Sequence, residues 1–183
     1  MTRRALLFDL DGTLFDTTGV NYLAYKKALN EVGCDIDMEY YKNCCDGRSY
    51  RDFLPKLVPT DKIKVVHERK KNLYADCLGC ARENVFLFDL IEKMKAESKI
   101  GLVTTASGKN TREILIYFGR EELFDVLVCQ EDVQNTKPHP EAYQKAMDML
   151  GVSSEEVYIF EDSEVGMEAA LASGAHVIRI ERF

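Results

Sequence analysis

Asp9 and Asp11 stand two apart at the end of the apolar run Ala5-Leu6-Leu7-Phe8, with Gly12 directly after them. In an extended backbone, side chains two apart leave on the same side, so two carboxylates would share one small space. Like charges that close are costly unless a cation or a proton joins them, and the pair therefore calls for Mg²⁺ or for one carboxyl held protonated. Gly12 permits a sharp turn that brings backbone amides toward a ligand. An Asp-x-Asp-Gly stretch also begins ordinary turns, and alone it leaves both readings open.

Three further stretches offer matching groups. Thr104 and Thr105 follow Val103, and their hydroxyls are able to donate to a phosphoryl oxygen or to serve as polar strand-end residues. Lys137 precedes Pro138, which fixes the backbone and favours an extended approach of the ammonium to an anion, although most lone lysines are solvated. Glu161 and Asp162 follow Val157-Tyr158-Ile159-Phe160 and supply carboxylates for a Mg²⁺ shell, with Asp162 also suited to capping a helix. Ser107-Gly108-Lys109-Asn110 is no phosphate-binding P-loop, because Val103 replaces the earlier glycine and Asn110 the closing Ser or Thr.

These groups sit where elements end. Five short apolar runs read as strands: residues 5–8, 100–103, 126–128, 157–160 and 176–180. Helical patterns separate them: Leu87, Leu90, Ile91 and Met94; Ile114, Leu115 and Phe118; and Tyr143, Ala146, Met147 and Leu150, closed by Gly151, with Gly174 ending a fourth. Strands alternating with helices imply a doubly wound parallel α/β sheet, in which ligands bind beyond the carboxyl ends of the strands. Residues 17–83 break the rhythm and read as an all-helical unit inserted after the first strand. Val20, Leu23, Ala24, Ala28 and Val32 mark one helix stopped by Gly33, and Ile63, Val66, Leu73 and Cys77 a second, while Pro55 and Pro59 limit what lies between to short pieces. The division expected is an α/β core of residues 1–16 and 84–183 and a helical unit of residues 17–83.

With these residues in place, the chain resembles the haloacid dehalogenase superfamily of phosphohydrolases, in the branch with a helical cap that includes beta-phosphoglucomutase. The resemblance rests on Asp9-Leu10-Asp11-Gly12-Thr13-Leu14-Phe15-Asp16, Thr104-Thr105-Ala106-Ser107, Lys137-Pro138-His139-Pro140 and Phe160-Glu161-Asp162-Ser163-Glu164-Val165-Gly166, in that order. It implies a Rossmann-like core with a helical cap and a Mg²⁺-dependent phosphatase acting on a small phosphorylated metabolite. Asp9 would be the nucleophile and Asp11 the acid and base. Thr104, Thr105 and Lys137 would bind the phosphoryl group, and Asp9, Asp11 (through its carbonyl), Glu161 and Asp162 would hold the metal. Asp46-Gly47-Arg48-Ser49-Tyr50-Arg51-Asp52 resembles the branch's specificity loop, making Gly47, Arg48 and Lys70 candidate substrate contacts. Asp11 argues against a dehalogenase. Tyr50, where the mutase pattern has arginine, and Asn21, where it has histidine, weigh against a sugar-phosphate mutase, which stays the alternative beside a non-catalytic phospholigand-binding module.

Composition narrows the partners. The 183 residues are 46% hydrophobic, enough for a packed core, and 31 acidic against 24 basic residues give a net charge of −7. Such a field repels phosphate polymers and anionic bilayers, so no nucleic-acid or membrane partner is expected. No apolar stretch suffices for a membrane span or a secretion signal, which leaves a cytoplasmic location, and the six cysteines are expected as free thiols, Cys77-Leu-Gly-Cys80 included. A monomer is favoured. The sequence ends at Phe183, just after the fifth apolar run, as a compact member or one that has lost its tail.

Overall fold

The structure, a computed structural model, describes residues 4–181; Phe183 lies outside them. The chain begins with β1 (Ala5–Phe8) and β2 (Phe15–Asp16), and continues into α1 (Thr18–Asn30), α2 (Met38–Cys44), α3 (Tyr50–Phe53) and α4 (Thr60–Leu73). It returns through β3 (Arg82–Glu83), α5 (Val85–Met94), β4 (Lys99–Val103), α6 (Gly108–Phe118) and β5 (Val126–Val128). The remainder is α7 (Glu141–Leu150), β6 (Val157–Glu161), α8 (Glu164–Ala172) and β7 (His176–Arg179).

All five expected strands form, and they pair in parallel in the order β5-β4-β1-β6-β7. This is the doubly wound α/β sheet. The unbroken apolar run of β1 is explained by its central place: all four of its residues are buried, with Leu6 opposite Ile100 on one side and Tyr158 on the other. On one face Ala5, Leu7, Val157 and Ile159 pack with Tyr143, Ala146 and Met147 of α7 and Ala169 and Ala170 of α8. On the other, Phe8 stacks on Phe160 with centroids 4.5 Å apart. β7 is an edge strand with exposed His176, Ile178 and Arg179.

The chain divides into two compact units, one of residues up to Asp16 and from Arg82 onward, the other Thr17–Ala81. In the first, β2 and β3 pair antiparallel as a two-stranded ribbon, Phe15 opposite Glu83 and Asp16 opposite Arg82. Residues 82 and 83, expected at the end of the helical segment, lie in this ribbon and in the first unit. Arg82 bonds Asp16 at 2.6 Å, and Arg120 spans Glu83 and Glu92.

The second unit is helical. α1 packs along α4 and the 3-10 segment Ala75–Cys80, burying Val20, Ala24, Tyr25, Ala28 and Leu29 with Phe53, Leu54, Val66 and Leu73. Two residues assigned to helices by spacing fall outside them. Val32 lies past the end of α1, where Gly33 adopts φ +80°, and Cys77 lies in the 3-10 segment after α4. Among the described residues no helix is long and apolar enough to cross a membrane. All six cysteines are free.

Candidate active site

The site begins where β1 ends. Asp9 is buried, its N–H donating to the Phe160 carbonyl at 3.0 Å, so its backbone continues the sheet for one residue. The chain then turns: Leu14 N–H and Phe15 N–H both donate to the Leu10 carbonyl, and Gly12 N–H donates to Phe15 O at 2.7 Å. Asp11 therefore lies in a loop rather than on a continued strand, and it is the turn, not two-residue alternation, that keeps it near enough to bear on Asp9.

Lys137 reaches this point from the connection after β5. Its Nζ donates to Asp9 Oδ1 at 2.6 Å, Glu161 Oε2 at 2.7 Å and the Val103 carbonyl at 3.2 Å, with the side chain 4% exposed. The loop ahead of it is pinned by Glu141, whose carboxylate accepts from the N–H groups of Gln134 and Asn135 and from the Asn135 amide. The Lys137–Pro138 peptide is cis.

β6 delivers two carboxylates of different character. Alternation sends Val157, Ile159 and Glu161 to the α7 side of the sheet, and Asp162 follows outside the strand. Glu161 is fully buried; Oε1 accepts from Asp162 N–H (3.1 Å), Ser163 N–H (3.1 Å) and Ser163 Oγ (2.9 Å), and Oε2 from Lys137 Nζ and Tyr143 Oη, both 2.7 Å. Asp162 is half-buried and accepts from Thr13 Oγ1 at 3.1 Å. Ligand oxygens of Asp9, Glu161 and Asp162 lie within 4.8 Å of one another.

The charges are unequal. Burial pushes Asp9 well above the ordinary carboxylate range; Lys137 opposes the rise and Glu161 reinforces it. Burial alone would raise Glu161 too, but Lys137, Tyr143 and Ser163 outweigh it and hold that carboxyl low. Burial disfavours the Lys137 ammonium, yet Asp9, Tyr143 and Glu161 hold it firmly charged. One ammonium thus faces two buried carboxylates, and Asp9 is the one whose charged form is left under-compensated.

These oxygens fit a hard divalent cation. Mg²⁺ favours carboxylate and carbonyl oxygen, and positive charge beside Asp9 would answer its uncompensated burial. The space is kept by Gly12, at φ +91°: a Cβ there would lie 2.2 Å from Asp162 Oδ2. Only glycine combines that backbone with so close an approach.

Thr104, after β4, is buried and accepts from Ala106 N–H at 3.0 Å, leaving its own O–H to donate. Thr105 beside it is exposed. Gly47, Arg48 and Lys70 lie on the helical unit. Gly47 (φ +70°) has open space about it, and Arg48 is exposed and reaches Asn43 O at 3.5 Å. Lys70 places its ammonium over the rings of Tyr25 (5.3 Å) and Tyr74 (5.0 Å). Sequence reasoning took Tyr143 only as a helix-face residue, quoted Thr13 and Gly166 only as members of motif stretches, and foresaw no contact for Asn84. Asn84 donates to Thr13 O and caps α5 by accepting from Leu87 N–H. For Tyr143 a signal existed, since a buried tyrosine hydroxyl needs a partner.

The haloacid dehalogenase-like hydrolase family matches residues 6–180. A phosphorylated carbohydrates phosphatase of Thermotoga maritima is 32% identical over 179 residues, 93% of this chain and 81% of that protein. The crystal structure of CbbY from Rhodobacter sphaeroides in complex with phosphate superposes with a TM-score of 0.88 at 26% identity, covering 100% of this chain and 88% of that one. The beta-phosphoglucomutase of Clostridium difficile shares the fold, with a TM-score of 0.78 at 24% identity over 97% of this chain and 84% of that one.

Proposed function

The chain belongs to the haloacid dehalogenase-like hydrolase family, and from that premise we propose that it is a Mg²⁺-dependent phosphatase of small phosphorylated metabolites, phosphorylated carbohydrates foremost. The observation that carries the proposal is the Lys137 ammonium 2.6 Å from Asp9, with Asp162 in the same carboxylate cluster.

Asp9 and Asp162, with the Asp11 carbonyl, would hold the cation. When bound, it neutralises charge on the transferring group and on Asp9. An Asp9 oxygen forms a bond to phosphorus as the bond from phosphorus to the ester oxygen breaks, and Asp11 gives its proton to the departing oxygen. Water then attacks phosphorus, Asp11 takes the proton of that water, the bond to Asp9 breaks, and inorganic phosphate leaves. Lys137 and the Thr104 hydroxyl meet the phosphoryl oxygens, and Thr105 offers a second hydroxyl. General acid–base help of this kind contributes roughly 10²- to 10⁴-fold.

Thr17–Ala81 would act as the cap that selects the leaving group, with Gly47, Arg48 and Lys70 as substrate contacts. Phosphatase is favoured over mutase because Tyr50 stands where the mutase pattern places arginine and Asn21 where it places histidine; Tyr50 instead stacks on His67 with ring centroids 3.6 Å apart.

The test is phosphate release from para-nitrophenyl phosphate and a panel of sugar phosphates, with and without Mg²⁺. Metal-dependent release is expected, and Asp9→Asn should abolish it. An Asp9→Asn protein with normal turnover refutes the nucleophile.

A further inference from the structure

We infer that Tyr143 and Glu161 form a positioning pair for Lys137, and that Glu161 serves as the counter-ion of that lysine and not as a ligand of the cation. The inference deepens the reading of Asp9 as the phosphoryl-accepting carboxylate and rests on it.

Proximity alone would admit Glu161 to the metal shell, since its oxygens lie within 4.8 Å of those of Asp9 and Asp162. The hydrogen bonds say otherwise. A carboxylate offers about four lone-pair sites, and Glu161 already receives five donors. To face a cation it would have to surrender bonds of 2.7 Å to Lys137 and Tyr143, or those to the start of α8. Exchanging charge-assisted bonds in a buried pocket for a cation that Asp9 and Asp162 can already reach gains nothing.

The surroundings fix Glu161 in this orientation. Gly166 lies against the carboxylate so closely that a Cβ there would sit 2.0 Å from Oε2, closing that side. Tyr143, fully buried on α7, aims its hydroxyl at Oε2 while its ring lies 4.9 Å beneath the Lys137 Nζ. Lys137 is thus held from two directions, by charge through Glu161 and by the ring face of Tyr143. Its remaining strong contact is Asp9 Oδ1. Without this support a flexible four-carbon stem would spread over rotamers, and fewer molecules would present the ammonium to the transferring group.

The test compares the wild-type chain with Tyr143→Phe, Glu161→Gln and Asp162→Asn. Mg²⁺ affinity is measured by calorimetry, independently of turnover, and kcat and KM with para-nitrophenyl phosphate. Tyr143→Phe keeps the ring and deletes the hydroxyl; kcat should fall about tenfold, the size of one lost charge-assisted bond, with KM and Mg²⁺ affinity within about twofold. Glu161→Gln should lower kcat further and likewise spare Mg²⁺ affinity, while Asp162→Asn should weaken Mg²⁺ binding tenfold or more on the same scale. Loss of Mg²⁺ affinity in Glu161→Gln to match Asp162→Asn overturns the inference, as does an unchanged kcat in Tyr143→Phe. If Glu161→Gln does not fold, Tyr143→Phe still decides the positioning role, and Glu161→Asp replaces Glu161→Gln in the Mg²⁺ measurement with the same expected and overturning results. A normally active Asp9→Asn protein would instead sink the underlying reading.

Discussion

Gly166→Ala sets two effects of opposite sign against each other. Gly166 lies inside α8 at a φ outside the left-handed region, so helix propensity and unfolded-chain entropy favour alanine by about 1 kcal/mol. Against this, the new Cβ would stand 2.0 Å from Glu161 Oε2 and 2.3 Å from Oε1. An ordinary contact needs a shift of more than an ångström, and bonds of 2.7 Å to Lys137 and Tyr143 do not survive it. Losing one such bond to a charged group costs about 1.5–3 kcal/mol, and overpacking adds about 1–3 kcal/mol. The clash wins, with a net destabilisation of about 3 kcal/mol after propensity is deducted. For a chain of this size that is a fall in Tm of roughly 6–12 °C. Thermal and urea unfolding read the stability, and kcat should fall in parallel because Lys137 moves with Glu161. A Gly166→Ala protein as stable as wild type, or more so, would show that the carboxylate is not wedged in place.

Gly12→Ala should weaken Mg²⁺ affinity by calorimetry, because its Cβ would displace the Asp162 carboxylate from 2.2 Å and its φ of +91° is strained for alanine; unchanged affinity would count against Asp162 as a ligand. Asn84→Asp keeps the cap on α5 but sets a carboxylate oxygen against Thr13 O in place of the donating amide, so stability should fall by about 1 kcal/mol or more and Mg²⁺ binding should weaken two- to tenfold, on the order of one neutral hydrogen bond; equal affinity would disconnect Thr13 from the site. His67 is half-buried, stacked on Tyr50 and bonded to Tyr25, and burial, with Lys70, Lys71 and Arg51 nearby against Glu68, lowers its pKa to about 4. Its neutral form is the one the fold favours, so its contribution is complete above pH 6.5 and drains away as pH falls toward about 4. In Tm measurements across that window His67→Gln should flatten the acid limb, and a curve parallel to wild type would refute the assignment.

Much of the molecule was legible in the residues themselves. Short apolar runs gave the five strands, and the positive-φ glycines Gly151 and Gly174 marked where helices stop. The ingredients of the site were legible too, because carboxylates, hydroxyls and an ammonium directly after strands are conspicuous where local signals predict apolar burial. What spacing could not supply was partnership. β2 and β3 are two residues each, too short for any periodicity, and exist because residues 66 positions apart pair. Asp11 owes its place to a turn set by backbone bonds to Leu10 and Phe15.

The difference is plainest at Glu161 and Asp162. As neighbours of one residue type in all but a methylene, they read alike along the chain, both as metal carboxylates. The sequence by itself determined that acidic groups end β6. Only the tertiary structure gave them separate surroundings, because strand alternation turns Glu161 toward Tyr143 and Lys137, where five donors fill its oxygens, and leaves Asp162 beside Gly12 and Thr13. A carboxylate's role is set by which donors reach it, and those donors come from α7, from the loop after β5 and from the start of α8, segments brought together by the sheet.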